Sequence, residues 1–179
     1  MIRVETIETL NGILAYAGVA ALVVTALLII DMRGKRALAP YIVKWGLLAT
    51  FVVALAGTVL SLVYSDVFGL VPCGLCWFER IMLYPQVLLV GTALIVRERT
   101  IPRYGIVLST VGLVISLYHH YIQMGGGEFV RCPAAGVGAD CAKRFMFELG
   151  FITFPLLGAI SFALLIALYV YLRREYARS

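Results

Sequence analysis

Charge is scarce in this sequence. Only 14% of its 179 residues are Asp, Glu, Lys or Arg, where a soluble domain carries about 25%. Hydrophobic residues make up 62%. That balance excludes an ordinary soluble globule and indicates a membrane protein. Polar interruptions are rare in five stretches, roughly 10–30, 41–64, 76–96, 102–123 and 151–172. Each has about 20 residues, enough as a helix to cross about 30 Å of hydrocarbon. The stretches are too long and too uniformly apolar for alternating strands, so the expected fold is all-α rather than a barrel. Also missing are a glycine-rich phosphate loop, a nucleotide fingerprint, an internal repeat and any low-complexity segment. Without a repeat, a transporter built from duplicated halves has no support.

The charges that are present report topology rather than nucleic-acid binding, although they sum to +5. Arg33, Lys35 and Arg36 follow the first stretch. Arg97, Arg99 and Arg103 lie between the third and fourth, and Arg173, Arg174 and Arg178 follow the fifth. If every stretch spans, these segments share one side. The other side holds Arg3, Arg80, Arg131, Lys143 and Arg144, spread over longer segments. The positive-inside rule then puts the N-terminus outside and the C-terminus in the cytoplasm. The first stretch is too long for the core of a signal peptide. Glu5 and Glu8 precede it and no small-x-small cleavage site follows, so it is expected to remain as a helix.

The four cysteines, Cys73, Cys76, Cys132 and Cys141, all fall in or beside the two loops expected outside, 65–75 and 124–150. An external compartment permits disulfides. Four cysteines allow three connectivities, and spacing does not choose among them. Structural staples, a zinc site and redox chemistry compete. The C-x8-C spacing of the second pair is not that of a zinc ribbon, and an apolar helix starts directly after Cys76, so no metal is expected. Redox chemistry draws support from the C-x-x-C at a helix start, where the dipole and free N–H groups favour a thiolate.

Two charges follow that pair. Arg80 lies four residues after Cys76, one helical turn below it on the same face, where a cation favours a thiolate. The competing reading is an arginine that only snorkels to the interface. Glu79 opposes a thiolate unless it faces elsewhere or meets a cation. Trp77, Phe78 and Tyr84 lie nearby, and Tyr118, His119, His120 and Tyr121 end the fourth stretch. Interfacial aromatic belts have this composition too. The adjacent histidines are less ordinary, because an imidazole at that depth can donate a hydrogen bond or a proton. Glycines 125–127, Gly136 and Gly138 make the second loop permissive. The segment 145-FMFELGF-151 is expected to form a short interfacial helix, and Pro85 and Pro155 are expected to kink or open their spans.

The stretch 73-CGLCWFERIMLYP-85 resembles the signature of the DsbB/BdbC family, bacterial membrane thiol:quinone oxidoreductases. The order of the two cysteine pairs and the final 150-GFITFPLL-157 agree with it. The resemblance covers about 41–172, and the C-x8-C spacing is closer to the BdbC branch. It implies a four-helix transmembrane bundle over 41–179, with 1–40 as an extra N-terminal transmembrane helix and cytoplasmic loop. Cys73 and Cys76 would be the quinone-proximal pair, with Cys76 facing the quinone. Arg80 and Trp77 would help to bind it, with His119 or His120 nearby. Cys132 would form a mixed disulfide with a DsbA/BdbD-like thioredoxin-fold oxidase, and Cys141 would be its mate. The resemblance also implies a menaquinone or ubiquinone taken from the lipid of the bacterial cell membrane. A vitamin K epoxide reductase-like enzyme is the nearest alternative, but there the loop pair precedes the C-x-x-C. A membrane scaffold with two structural disulfides is the non-enzymatic one.

Overall fold

A computed structural model describes residues 2–127, 129, 132 and 140–178, with side chains from residue 5 onward. Its helices are α1 (Ile2–Arg33), α2 (Ala39–Leu62), α3 (Gly74–Val96), α4 (Ile101–Gln123) and α5 (Phe154–Tyr176), and a π-helical turn (Val63–Val67) extends α2. All five α-helices are long and apolar enough to cross a membrane. The chain is therefore an all-α, multi-pass membrane protein.

Local chemistry sets the helix starts. Pro40, Pro102 and Pro155 sit in the first turns of α2, α4 and α5, where a missing N–H costs nothing. Pro155 thus opens α5 instead of kinking it, and α3 continues across Pro85. Cys73 and Thr153 are the N-caps of α3 and α5, and their side chains accept from the backbone N–H of Cys76 and Leu156. The expected interfacial helix at 145–151 is absent. A bridge between Glu148 and Ile152 closes a tight turn there. Leu149 (φ 54°) and Gly150 (φ 78°) are left-handed, which a right-handed helix does not accept. Gly136 and Gly138 lie outside the described residues.

Helices α2, α3, α4 and α5 close a ring in that order, and α1 packs on α5 from outside it. The α4–α5 seam explains the register. Pro102, Gly105, Ser109, Gly112, Ser116 and His119 form a buried seam down α4 at alternating spacings of three and four, and Ile122 and Gln123 end it. Gly105 and Gly112 leave room for the rings of Tyr169 and Phe162, which a Cβ at either glycine would meet. Close approach through small residues is the usual way that membrane helices pack. At the ring's centre, Ser109 Oγ and Tyr169 OH both donate to Gln86 Oε1, at 3.1 and 3.0 Å. In hydrocarbon such groups have no water to turn to. The outer surface carries exposed Ile13, Leu27, Trp45, Leu88, Ile95 and Val107, as a lipid-facing surface should.

The bundle has two unlike ends. At one, Arg36 and Arg178 meet Glu175 at 3.3 Å each, and the Arg99 guanidinium lies 5.4 Å over the Tyr176 ring. Segments 33–36, 97–103 and 173–178 thus share that end. The cysteines occupy the other.

Candidate redox site

The site begins at the cap of α3. Cys73 has extended backbone (φ −75°, ψ 174°) and accepts from the Cys76 N–H, at 3.3 Å. This bends the chain so that Cys76, one turn on, brings its sulfur to 2.7 Å from that of Cys73. Cys73 is buried, whereas Cys76 is only partly so.

His119 reaches the pair from α4. Its Nε2 lies 3.5 Å from Cys73 Sγ, and its Nδ1 lies 3.0 Å from Glu79 Oε1. Glu79, expected to oppose a thiolate unless it met a cation, is here the partner of an imidazole. Gln123, one turn beyond His119, brings its Nε2 to 3.4 Å from the His119 Nε2 and donates to the Lys143 carbonyl at 3.1 Å. The hydrogen bond from Cys76, and after it that from His119, hold the Cys73 thiol well below its usual range against the opposing effect of burial. Cys73, Cys76 and His119 bring three ligand atoms within 4.8 Å of one another.

Cys132 and Cys141 form a disulfide, with Cα atoms 6.1 Å apart. Cys141 is fully buried and Cys132 is not. Cys141 shares one buried cluster with Cys73, Leu75 and Ile122, and Cys76, Cys132, Ile115 and Tyr118 pack around it. Two pairs far apart in sequence thus sit together at the cysteine end.

Beside this cluster lies a cavity of about 420 Å³ between α1, α2, α3 and α5. Its wall is mostly aliphatic and aromatic, with Ser61, Tyr64, Ser65, Cys76, Glu79, Arg80 and Ser161 as its polar members. Arg80 donates from Nε to Ser61 Oγ and from Nη2 to the Ser61 carbonyl, both at 2.9 Å. Its guanidinium stands 5.2 Å over the Trp77 ring. That ring borders a second groove of about 350 Å³, with Asp66 and Tyr84. Of the residues singled out from sequence, Cys76 and Arg80 therefore line the cavity and Trp77 braces Arg80 from the neighbouring groove. His119 serves Cys73 from behind. His120 turns away, its Nδ1 2.8 Å from Thr153 Oγ1 at the start of α5.

Sequence reading missed Ser61 and Gln123, and it did not separate His119 from His120. The signal for the last was present, because His119 continues the small-residue seam Ser109–Gly112–Ser116 and His120 is one position off it. Nothing local pairs Glu79 with a histidine forty positions away.

The profile of the family described as disulfide bond formation protein DsbB matches residues 43–172. The SPbeta prophage-derived disulfide bond formation protein B of Bacillus subtilis (strain 168) is 38% identical over 124 residues, 69% of this chain and 82% of the relative. Disulfide bond formation protein C of the same organism is 34% identical over 129 residues, 72% of this chain and 93% of the relative. A probable disulfide formation protein of Oceanobacillus iheyensis is 34% identical over 125 residues, 70% and 84% of the two chains. No solved structure matches. The matched segment contains all four cysteines and the cavity walls from α2, α3 and α5, and on that basis the chain belongs to the DsbB family of disulfide bond formation proteins.

Proposed function

We propose that the chain is a protein-disulfide:quinone oxidoreductase of the bacterial cytoplasmic membrane. It reoxidises an extracytoplasmic thioredoxin-fold dithiol oxidase of the DsbA/BdbD kind and delivers the electrons to menaquinone or ubiquinone. The cysteine end faces outside and the basic end faces the cytoplasm, as the positive-inside rule requires. The observation that carries this reading is the placement of both cysteine pairs in one buried cluster, with Cys76 alone of the four also lining an apolar cavity.

The cavity suits a quinone. An apolar wall accepts the ring and tail, and Ser61, Glu79 and Arg80 gather hydrogen-bonding groups beside Cys76. A bound quinone supplies an acceptor for two electrons and two protons. The chain's own residues do the rest. The partner's thiolate attacks Cys132, the more exposed sulfur of the loop disulfide, and Cys141 leaves as a thiolate. The partner's second thiol then displaces Cys132 and leaves oxidised. Cys73 and Cys76 are free thiols in this structure. Once a turnover with quinone has joined them as a disulfide, Cys141 attacks Cys73 within the shared cluster, breaks that bond and releases Cys76 as a thiolate at the cavity. Cys132 closes on Cys141, which restores the loop disulfide and frees Cys73. The dithiol has then moved to Cys73 and Cys76, which give up two electrons as their disulfide re-forms. His119 stands where it can take the Cys73 proton, and Glu79 receives the ring's other N–H at the cavity wall.

The direct test combines the purified chain, a reduced thioredoxin-fold dithiol protein and a quinone. Quinone reduction matched mole for mole by loss of partner dithiol is expected. Thiol exchange without quinone consumption would reduce the protein to a disulfide isomerase.

Arg80 offers a sharper probe. Ser61 accepts from two of its donors, Nε and Nη2, leaving Nη1 without a partner among the described residues. Arg80→Lys keeps the charge and loses the fork; Arg80→Met loses both. A hydrogen bond to a charged group is worth roughly 1.5–3 kcal/mol, or about ten- to a hundredfold. The apparent KM for quinone is therefore expected to rise by about that factor in Arg80→Met and by less in Arg80→Lys. If both leave KM and turnover alone, Arg80 only anchors α3 to α2.

A further inference from the structure

We propose that α1 is one wall of a tail channel, and that the hydrocarbon tail of the quinone leaves the redox site between α1 and α2. The inference rests on the reading of the cavity as the quinone site. It concerns a helix that the family profile does not include, since the match begins at residue 43.

Helices α1 and α2 both pack on α5, and the cavity lies between them. Leu14, Ala17, Gly18 and Ala21 line it from α1, the i, i+3, i+4, i+7 spacing of one helical face. On α2 the lining runs from Val53 to Ser61, eight residues or about 12 Å of helix. The slot thus starts at the level of Arg80, whose guanidinium Ser61 holds, and descends toward the middle of the membrane. Away from Ser61, Tyr64, Ser65, Cys76, Glu79 and Arg80 its lining is apolar except for Ser161, whose hydroxyl is taken by the Leu157 carbonyl of its own helix. A molecule with a polar ring and a long apolar tail fits that gradient, and a compact polar acceptor does not need it.

Hydrogen bonds fix α1 at both ends of the slot. Near the cysteine end, Tyr64 OH donates to Asn11 Oδ1 at 2.6 Å, with both residues buried. At the basic end, Tyr171 OH donates to Asp31 Oδ2, and the backbone N–H groups of Ala37 and Leu38 donate to the same carboxylate at 2.9 and 3.1 Å. Helix α1 is thereby tied at both ends; Gly18 lets it approach Leu157 of α5 closely, and Ala17 and Ala21 line the gap beside it. Ala17 lines the cavity and is also exposed, which places it at the lipid-side mouth.

The test compares a long-isoprenoid quinone with a tailless analogue, using the full chain and one reduced dithiol donor. Ala17→Phe and Ala21→Phe put bulk into the slot. Val23→Phe puts the same bulk on an α1 position that is 54% exposed and outside the cavity. The apparent KM for the long-tailed quinone is expected to rise at least about tenfold in the first two variants. The tailless analogue is expected to keep its KM, and Val23→Phe is expected to change neither. An unchanged KM for both quinones overturns the proposal and leaves the slot to a lipid acyl chain. An equal rise for both also overturns it, because α1 would then act on the whole bundle. On the unaltered protein, a quinone with a photoreactive group on its tail should label residues 14–21, and labelling confined to α2 and α5 rejects the channel. If the unaltered protein reduces neither quinone, it is the proposed function that fails.

Discussion

Cys76→Ser is expected to stop quinone-linked turnover, by roughly a thousandfold or more, as when an enzyme loses its nucleophile. The same substitution should leave a defined product. Without Cys76, Cys73 loses its partner within the C-x-x-C. The substitution takes away the Cys76 hydrogen bond that lowers its thiol most, but the His119 contact remains, and it shares a buried cluster with Cys141. The Cys73 thiolate therefore attacks Cys141 of the loop disulfide and releases Cys132 as a free thiol. The exchange forms one S–S bond and breaks one, so it needs no oxidant. Alkylation followed by non-reducing digestion should recover a Cys73–Cys141 peptide pair and an alkylated Cys132. A Cys73–Cys132 pair would reverse the order of electron transfer proposed for the loop, and an unchanged loop disulfide would mean that the two pairs do not communicate.

His119→Gln is expected to make turnover depend on pH where the unaltered protein does not. His119 touches Cys73 through Nε2 and Glu79 through Nδ1, at 3.5 and 3.0 Å. Glutamine keeps a donor for the Glu79 carboxylate, so that group is not left buried and alone, a loss that costs several kcal/mol. What goes is the imidazole beside the sulfur. The Cys73 thiol is lowered by Cys76 first and by His119 next, so removing the ring lets its pKa rise. The Cys76 hydrogen bond remains in the variant, so the rise is partial. Below the raised pKa the thiolate fraction falls about tenfold per pH unit, so turnover should drop by roughly tenfold or more toward the acid end and recover as pH approaches 9. The measurement is turnover from pH 5.5 to 9, with the alkylation rate of Cys73 in the reduced protein as a second readout. A uniform loss at all pH values would make His119 a packing residue. His120→Gln, at the Thr153 cap, should leave the pH profile unchanged.

Composition and local spacing determined much of this protein. Apolar runs of spanning length are enough for helices, because hydrocarbon leaves the backbone no other partner. The basic segments 33–36, 97–103 and 173–178 were legible as one end, and the structure brings Arg36, Arg99 and Arg178 together around Glu175 and Tyr176. The C-x-x-C at a helix start was legible too, since capping is decided within four residues. Boundaries set by turns were less so. The helix expected at 145–151 gives way to left-handed Leu149 and Gly150, and Pro155 opens α5 rather than bending it.

Tertiary structure alone decided the chemistry of the site. Glu79 and His119 lie on different helices, and only the α3–α4 packing brings them to 3.0 Å. The choice between His119 and His120 is a rotation of about 100° on one helix, fixed by small residues that let α5 approach. The meeting of Cys141 with Cys73 depends on a loop folding back onto the mouth of α3. The place of α1 depends on Asn11 and Asp31 finding phenols on other elements. Such contacts are long in sequence and short in space. A local pattern can say that a buried polar group needs a partner, but the bundle's register selects which one it gets.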